Sequence, residues 1–280
     1  MATQEKPFIS FIIPTYNEER NIERLLHSIS LQSYHKREII LVDQSSTDKT
    51  VAIAKKYTGN ILLLPTPAFY SPPGNNRNLG AQKAKGQILL HLDADMELPD
   101  SLFLERLIPL FDTDHQAVII HEKDIATGFW NKCKALERLC YWDSDMQGAR
   151  AVTSALFNHI GGYDTKISSG EDFFINTLYK QHTTIASADN VYVYHHTGYI
   201  SLRRLLWKKY NYGKTAGLYL AKRQQEGENE SLRIIVASLS AYCKNIRYLF
   251  SDPTHFTGIF VLRFLEFCAL RFGMTRQKKV

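Results

Sequence analysis

The sequence predicts an α/β protein: a mostly parallel, twisted sheet flanked by helices, with a helical extension at its C-terminal end. Three observations predict it. Between Phe8 and Leu92 short β-branched runs alternate with helix-period patterns. Hydrophobic residues make up 44% of the 280 and charged residues 22%, the balance of a chain that buries a core. From Ser201 onward only helical patterns remain.

The elements follow in order. Phe8 to Ile13 (FISFII) and Glu38 to Val42 (EIILV) are β-branched runs and read as strands. Between them Ile22, Leu25, Leu26 and Ile29 fall at i, i+3, i+4 and i+7, one face of a helix. Ser45 to Asp48 is a cluster of good N-cap residues, and a second helix is expected from there to Tyr57. Ile61 to Leu64 is a third strand; Gln87 to Leu92 is a fourth, after a short helix around Asn76 to Ala84. Strands that alternate with helices imply a parallel sheet covered on both faces. Beyond Pro99 the pattern predicts helices at Ser101–Phe111, Phe129–Tyr141 and Glu171–Lys180, and strands at Ala117–His121 and Thr184–Tyr194. Helices are then expected over 201–223, 231–250 and 255–272, broken by QQEGENE (224–230) and by Ser251-Asp252-Pro253.

Composition narrows the setting. Met1 to Pro7 is polar and carries no secretory h-region. No uncharged apolar run reaches the roughly 18–20 residues of a spanning helix. Cys133, Cys140, Cys243 and Cys268 show no CxxC spacing, which fits reduced thiols in a cytoplasmic protein. The net charge of +6 hides an asymmetry: residues 199–280 hold 15 Lys+Arg against 5 Asp+Glu. The last two helices mix Leu, Ile, Phe and Tyr with Lys244, Arg247, Arg263 and Arg271. That composition fits either a helix lying peripherally on an anionic membrane or a lid over the sheet. Nucleic acid is not an expected partner, because no zinc pattern, RNP-like motif or helix-turn-helix signature accompanies the charge.

In an open parallel sheet, ligands bind beyond the carboxyl ends of the strands. Here polar residues gather at those ends. The first strand runs into Pro14-Thr15-Tyr16-Asn17-Glu18, the second into Asp43-Gln44-Ser45-Ser46-Thr47-Asp48, the fourth into Asp93-Ala94-Asp95. Helix capping accounts for Asn17, Ser46 and Asp48 but not for Asp93 and Asp95. If strand geometry persists, the two aspartates face one way and repel unless a cation lies between them. Mg²⁺ or Mn²⁺ takes such oxygen ligands and shares them with substrate phosphates.

Ile13-Pro14-Thr15-Tyr16-Asn17-Glu18, Val42-Asp43-Gln44-Ser45-Ser46-Thr47-Asp48, Asp93-Ala94-Asp95 and Gly170-Glu171-Asp172 together resemble the family 2 glycosyltransferases of GT-A fold. The resemblance covers about residues 8–215. It implies inverting transfer of a sugar from a nucleotide diphosphate donor, UDP favoured, to a hydroxyl of a saccharide or lipid-linked acceptor. It also implies a divalent metal and a role in cell-envelope or polysaccharide synthesis. On this pattern residues 1–200 form the transferase domain, nucleotide half about 1–98 and acceptor half about 99–200, and 201–280 the extension. Pro14, Tyr16 and Glu18 would line the nucleotide pocket and Asp43 would contact the base. Gln44 stands where a second aspartate is usual. Arg77 and Asn78 match a segment whose arginine could neutralise donor phosphate. Asp93 and Asp95 would bind the metal, joined by a histidine from Tyr194-His195-His196, with His195 favoured.

Gly161-Gly162-Tyr163-Asp164 and Glu171-Asp172 resemble the acceptor side, with Asp172 the expected base and Glu171 the second choice. Processive members carry Gln-x-x-Arg-Trp and membrane spans; Arg203-Arg204-Leu205-Leu206-Trp207 is only a distant echo, so one sugar per encounter is expected. A nucleotidyltransferase would need a glycine-rich phosphate loop after the first strand, where Pro14-Thr15-Tyr16-Asn17 stands instead.

Overall fold

The computed structural model describes residues 6–65, 73–142, 147–165, 171–225 and 240–276. Residues 231–239 of the expected 231–250 helix, most of the polar break before it, and Gly170 lie outside the described residues.

Eight strands form one sheet among the described residues: β1 (Ile9–Thr15), β2 (Arg37–Asp43), β3 (Ile61–Leu63), β4 (Ile88–His91), β5 (Met96–Glu97), β6 (Ala117–Thr127), β7 (Ala149–Thr153) and β8 (Ile185–Tyr199). Their order is β3-β2-β1-β4-β7-β6-β8-β5. β1 pairs in parallel with β2 (Ile13 opposite Leu41) and with β4 (Phe11 opposite Leu90), and β2 with β3. Beyond β4 the recorded pairings turn antiparallel: β4 with β7, β6 with β7, and β5 with β8. The parallel arrangement expected for most of the sheet therefore holds from β3 to β4.

The helices are α1 (Ile22–Ser30), α2 (Thr50–Ala54), α3 (Pro73–Lys83), α4 (Phe103–Leu107), α5 (Phe129–Cys140), α6 (Ser154–His159), α7 (Glu171–Lys180), α8 (Leu202–Gln225), α9 (Ile246–Phe250) and α10 (Pro253–Thr275). α2 begins at Thr50 rather than near Ser45: Ser46 turns back to Asp43, while Asp48 accepts from the Thr50 amide with one oxygen and from the Glu19 amide of the neighbouring loop with the other. β5, β7 and α6 lack a sequence signal. β5 has two residues, β7 (ARAVT) carries an arginine, and α6 is a six-residue helix capped by the Thr153 side chain, which accepts from the Leu156 amide.

The chain divides into two compact units, the first made of the described residues up to Lys123 with Gly148–Thr165 and Glu171–His196. The first unit holds the sheet-edge residues described below. Its strand side chains alternate between two buried layers, as period-two geometry requires. Phe11, Ile13 and Leu90 pack with Leu25, Leu26 and Ile29 of α1 on one face. Ile12, Leu89 and Val152 pack with Phe157, Tyr163 and Ile175 on the other. The close approach of α3 to β1 depends on Gly80, where a Cβ would lie 2.4 Å from the Ile12 side chain.

The second unit is helical and takes in the described residues of 124–147 as well as those from Thr197 onward, so it is larger than the extension expected from residue 201. Cys133, Leu136 and Cys140 of α5 pack with Leu205 of α8, Leu249 of α9 and Ile259 and Leu262 of α10. Asp252 caps α10 by accepting from the His255 amide, and Pro253 takes the first turn, where its missing N–H is no loss. α8 and α10 approach closely at Gly213 and Gly273, whose Cα atoms leave no room for a side chain.

Candidate functional site

The carboxyl ends of β1 and β2 carry two loops that are bonded to each other. Asn17 Oδ1 accepts from the Thr47 amide at 2.9 Å, and the Asn17 amide donates to Ser46 Oγ at 2.8 Å. Asn17 and Ser45 both take positive φ, +54° and +58°, a conformation held only where the surroundings over-determine it. Asp43 is buried, and both its oxygens have donors within the chain: Thr15 Oγ1 and Ser46 Oγ to one, the Ser46 amide to the other. It fixes the loop. Gln44 beside it is buried with no hydrogen-bond partner at Nε2. Tyr16 stands exposed at this end, with Pro14 and Glu18 partly buried. Burial raises the Glu18 carboxyl above its ordinary range, opposed by a hydrogen bond from Asn21 and reinforced by repulsion from Asp95 and Asp93.

Strand geometry does not persist through Asp93 and Asp95. Residues 93–95 lie in the turn between β4 and β5, and the two aspartates meet different partners. Asp93 Oδ1 accepts from Arg77 at 2.7 Å, and Oδ2 lies 3.2 Å from Arg150. Burial would raise the Asp93 carboxyl, but the charges of Arg150 and Arg77 outweigh it and hold the group well below the carboxylate range. Asp95 Oδ2 lies 3.3 Å from His195 Nε2, and His195 Nδ1 lies 3.4 Å from Glu122 Oε2. The other oxygen of Glu122 accepts two bonds from Arg150, at 2.6 and 2.9 Å. One chain of contacts therefore runs from Arg77 through Asp93, Arg150, Glu122 and His195 to Asp95. His196, the neighbour of His195, faces away from this chain and bonds Glu97 at 2.7 Å.

Arg77 is the hub on the other side. Its side chain is 3% exposed, yet Nε and Nη1 have no hydrogen-bond partner. Nη1 lies 3.6 Å from Asp172 and 3.7 Å from Glu171, and the guanidinium sits 5.4 Å above the Tyr163 ring. The cation thus stands between Asp93 and the acid pair at the start of α7. Burial and the neighbouring Asp172 raise the Glu171 carboxyl, with Arg77 opposing. Asn78 fixes the turn that carries Tyr163: its amide nitrogen donates to the Tyr163 carbonyl, and its oxygen accepts from the Tyr163 amide. Gly161 and Gly162 supply the positive φ that this turn needs. Beneath Asp93, His91 is fully buried against Phe157 and Tyr163, with both ring nitrogens unpartnered. Burial pushes its pKa down to about 3, so it is neutral.

The sequence reading missed Arg150 and Glu122. The available signal was a lone arginine inside the small-residue strand ARAVT, where a charge is buried only if paired. Glu122 is harder to find, because Glu-Lys-Asp after Ala117–His121 resembles the polar end of a strand, whereas β6 continues to Thr127.

Glu122 and His195 offer ligand atoms within 4.8 Å of each other, and Asp95 lies 3.3 Å from the other ring nitrogen of His195, so oxygen and imidazole donors for a divalent cation stand together here. That donor chemistry suits Mg²⁺ or Mn²⁺, whereas Asp93 has both oxygens engaged by arginine.

A family model described as Glycosyl transferase family 2 matches residues 10–208. Over 90 residues the chain is 37% identical to the poly(ribitol-phosphate) β-N-acetylglucosaminyltransferase TarS of Staphylococcus aureus, covering 31% of this chain and 16% of TarS. Over 95 residues it is 32% identical to the GalNAc(5)-diNAcBac-PP-undecaprenol β-1,3-glucosyltransferase of Campylobacter jejuni, covering 33% of this chain and 31% of that one. Each match thus spans well under half of the relative's length. The mannosyltransferase PcManGT of Pyrobaculum calidifontis, solved with GDP-Man and Mn²⁺, shares the fold: TM-score 0.68 and 17% identity, over 99% of this chain and 89% of that one. TarS solved with UDP-GlcNAc superposes at TM-score 0.52 and 19% identity, over 96% and 90%.

Proposed function

This chain belongs to glycosyl transferase family 2, and from that membership we propose that it moves one sugar, with inversion, from a nucleotide diphosphate sugar to an acceptor hydroxyl. The observation that carries the proposal is the placement of Arg77 between Asp93 on one side and Glu171 and Asp172 on the other. It sets a diphosphate-facing carboxylate rim and a proton-accepting pair on either side of one fixed charge.

The reaction is a single displacement. The acceptor oxygen attacks the anomeric carbon, the bond from that carbon to the diphosphate oxygen breaks, and the nucleoside diphosphate leaves. Asp172 takes the acceptor proton, and Glu171 is the alternative base. Asp95 and His195, with Glu122 behind them, would hold the divalent cation. A cation bound there supplies positive charge to the diphosphate oxygens. Arg77 and Arg150 hold Asp93 rigidly in place, so the rim is preorganised before the donor arrives.

Pro14, Tyr16 and Glu18 line the nucleotide wall on this reading, and Asp43 shapes it through the loop it fixes. Gln44, buried beside Asp43 with its amide Nε2 unpartnered, belongs to the same wall. UDP is the favoured nucleotide, in keeping with the UDP-GlcNAc complex of TarS, although PcManGT was solved with GDP-Man. The acceptor is a saccharide or a lipid-linked saccharide, the class named for the Campylobacter relative.

The test is to incubate the protein with a panel of UDP- and GDP-sugars and follow donor cleavage and product anomer by proton NMR, with and without EDTA. Inversion at the anomeric carbon and loss of turnover in EDTA are expected. Retention of configuration, or full turnover in EDTA, contradicts the reading.

A further inference from the structure

Beside its apolar core the helical unit buries a small cluster of charges, and it leaves several large apolar side chains exposed. On α10 the buried positions include Glu266, which pairs with Arg263 at 2.6 Å; Arg263 also bonds the buried Glu137 of α5, through Nε at 2.8 Å. Lys209 of α8 lies 3.9 Å from Glu266. The outward side of the same helix presents Phe260, Val261, Phe264, Phe267 and Phe272, with Phe264 67% exposed. Phe260, Phe264, Phe267 and Arg271 follow one another at i, i+4, i+7 and i+11, so they form a single stripe, and no exposed position of α10 is acidic. A contiguous aromatic stripe of that length on an exposed helix face marks a surface with a partner.

We propose that the α10 stripe docks on the surface of an anionic lipid bilayer. The charge of the unit selects this occupant. Exposed basic residues lie on both α10 and the helix it packs with: Arg271 and Arg276 at the end of α10, and Arg203, Arg204 and Lys208 beside the exposed Trp207 on α8. Residues 199–280 hold 15 basic against 5 acidic residues, so a second copy of the chain would bring like charge against like charge. Anionic headgroups complement the basic rim while the phenylalanines enter the boundary between headgroups and acyl chains. Tryptophan is a residue of that boundary as well. No described helix is long and apolar enough to cross a membrane, so the helix lies along the surface. The internal pairs of Arg263, Glu137 and Glu266 take no part in the contact.

The experiment is flotation of the full chain with phosphatidylcholine vesicles containing phosphatidylglycerol, against pure phosphatidylcholine. The protein is expected to float with the anionic vesicles and far less with the neutral ones. Phe264→Asp together with Phe267→Asp should lower partitioning by about a hundredfold or more, since each phenylalanine removed from the boundary counts for about tenfold or more. Arg271→Ala should lower it by about fivefold. Circular dichroism and nucleotide binding, which belongs to the sheet-edge site, should stay at the wild-type level in the double variant, so a failure of docking is separable from a failure of the transferase reading. Three results overturn the proposal: no flotation at low salt, a double variant that floats like the wild type, or a concentration-dependent dimer that the double variant dissolves without vesicles.

Discussion

Two regions of this chain bury clusters of charge, and they differ in how much hydrogen-bonding capacity each leaves open. At the sheet edge Arg77 is buried with two of its nitrogens unpartnered, and its neighbour Asp93 is one-third exposed. In the helical unit Glu137 is just as buried, but it accepts from the Tyr141 and Tyr242 hydroxyls and from two nitrogens of Arg263, and the open position left beside it is a single oxygen, Oε1 of Glu266. Burial and the Glu137 charge push the Tyr141 hydroxyl up to about 12 and raise Tyr242 further, so both remain donors. A buried charge with open valence toward a rim is arranged for a ligand. A buried charge with its valence filled by neighbours holds helices together.

The largest effect expected from this contrast is catalytic. Asp172→Asn keeps the shape of the acid pair and removes the proton acceptor, so kcat should fall by about 10²–10⁴-fold, roughly 3–5 kcal/mol of barrier, with donor binding nearly unchanged. Glu171→Gln should do less; if it proves the more damaging, the two roles are reversed. The counterpart in the helical unit should show the opposite signature. Glu137→Leu removes one of the two carboxylates that face Arg263 and the acceptor of the Tyr141 and Tyr242 hydroxyls, and should cost about 3–5 kcal/mol in urea unfolding, while nucleotide binding at the sheet edge persists. A Glu137→Leu protein of wild-type stability would break the comparison.

Smaller effects sharpen it. Glu122 bonds Arg150 with one oxygen and faces His195 Nδ1 with the other, the arrangement that orients a ligating imidazole. Glu122→Gln should weaken Mn²⁺ binding by about 10–100-fold in a direct metal titration, without change in the circular dichroism spectrum. An unaltered affinity would leave Glu122 as packing for Arg150 alone. His91 gives the smallest effect. Its folded pKa of about 3 lies below the unfolded value of 6.5, so the stability it permits is present above pH 6.5 and is lost as the pH falls toward 3. Between pH 6.5 and about pH 5.5 this amounts to about 1 kcal/mol, readable in unfolding of the metal-free protein. His91→Leu should remove that slope; an identical slope in the variant would place the titration elsewhere.

What the sequence made legible follows the strength of each signal. β1, β2 and β4 are short, largely buried apolar runs and α1 shows a clear helical period, so local pattern alone locates them. β5 and α6 are too short to have a period, and β7 hides behind its own arginine. The antiparallel pairing beyond β4 depends on those same elements, which explains why the sequence pattern predicts a more parallel sheet than the one formed. At the site, Asp93, Asp95, Arg77, Glu171, Asp172 and His195 are visible as motif residues, and the fold brings them into one set of contacts. The partners they choose are not visible. Asp93 and Asp95 look like a matched pair in sequence, but the turn at 93–95 sends one to two arginines and the other to a histidine. Arg150 and Glu122, which join the two, carry no motif.

The central claim is that the open valence of the sheet edge binds a nucleotide diphosphate together with a divalent cation. Isothermal titration of UDP, with and without Mn²⁺, tests it most directly on the wild type and on Asp95→Ala. The wild type is expected to bind UDP at least about tenfold more tightly with Mn²⁺ present, and Asp95→Ala to lose that gain while remaining folded. UDP binding that is indifferent to Mn²⁺, or a gain that survives in Asp95→Ala, would contradict the account.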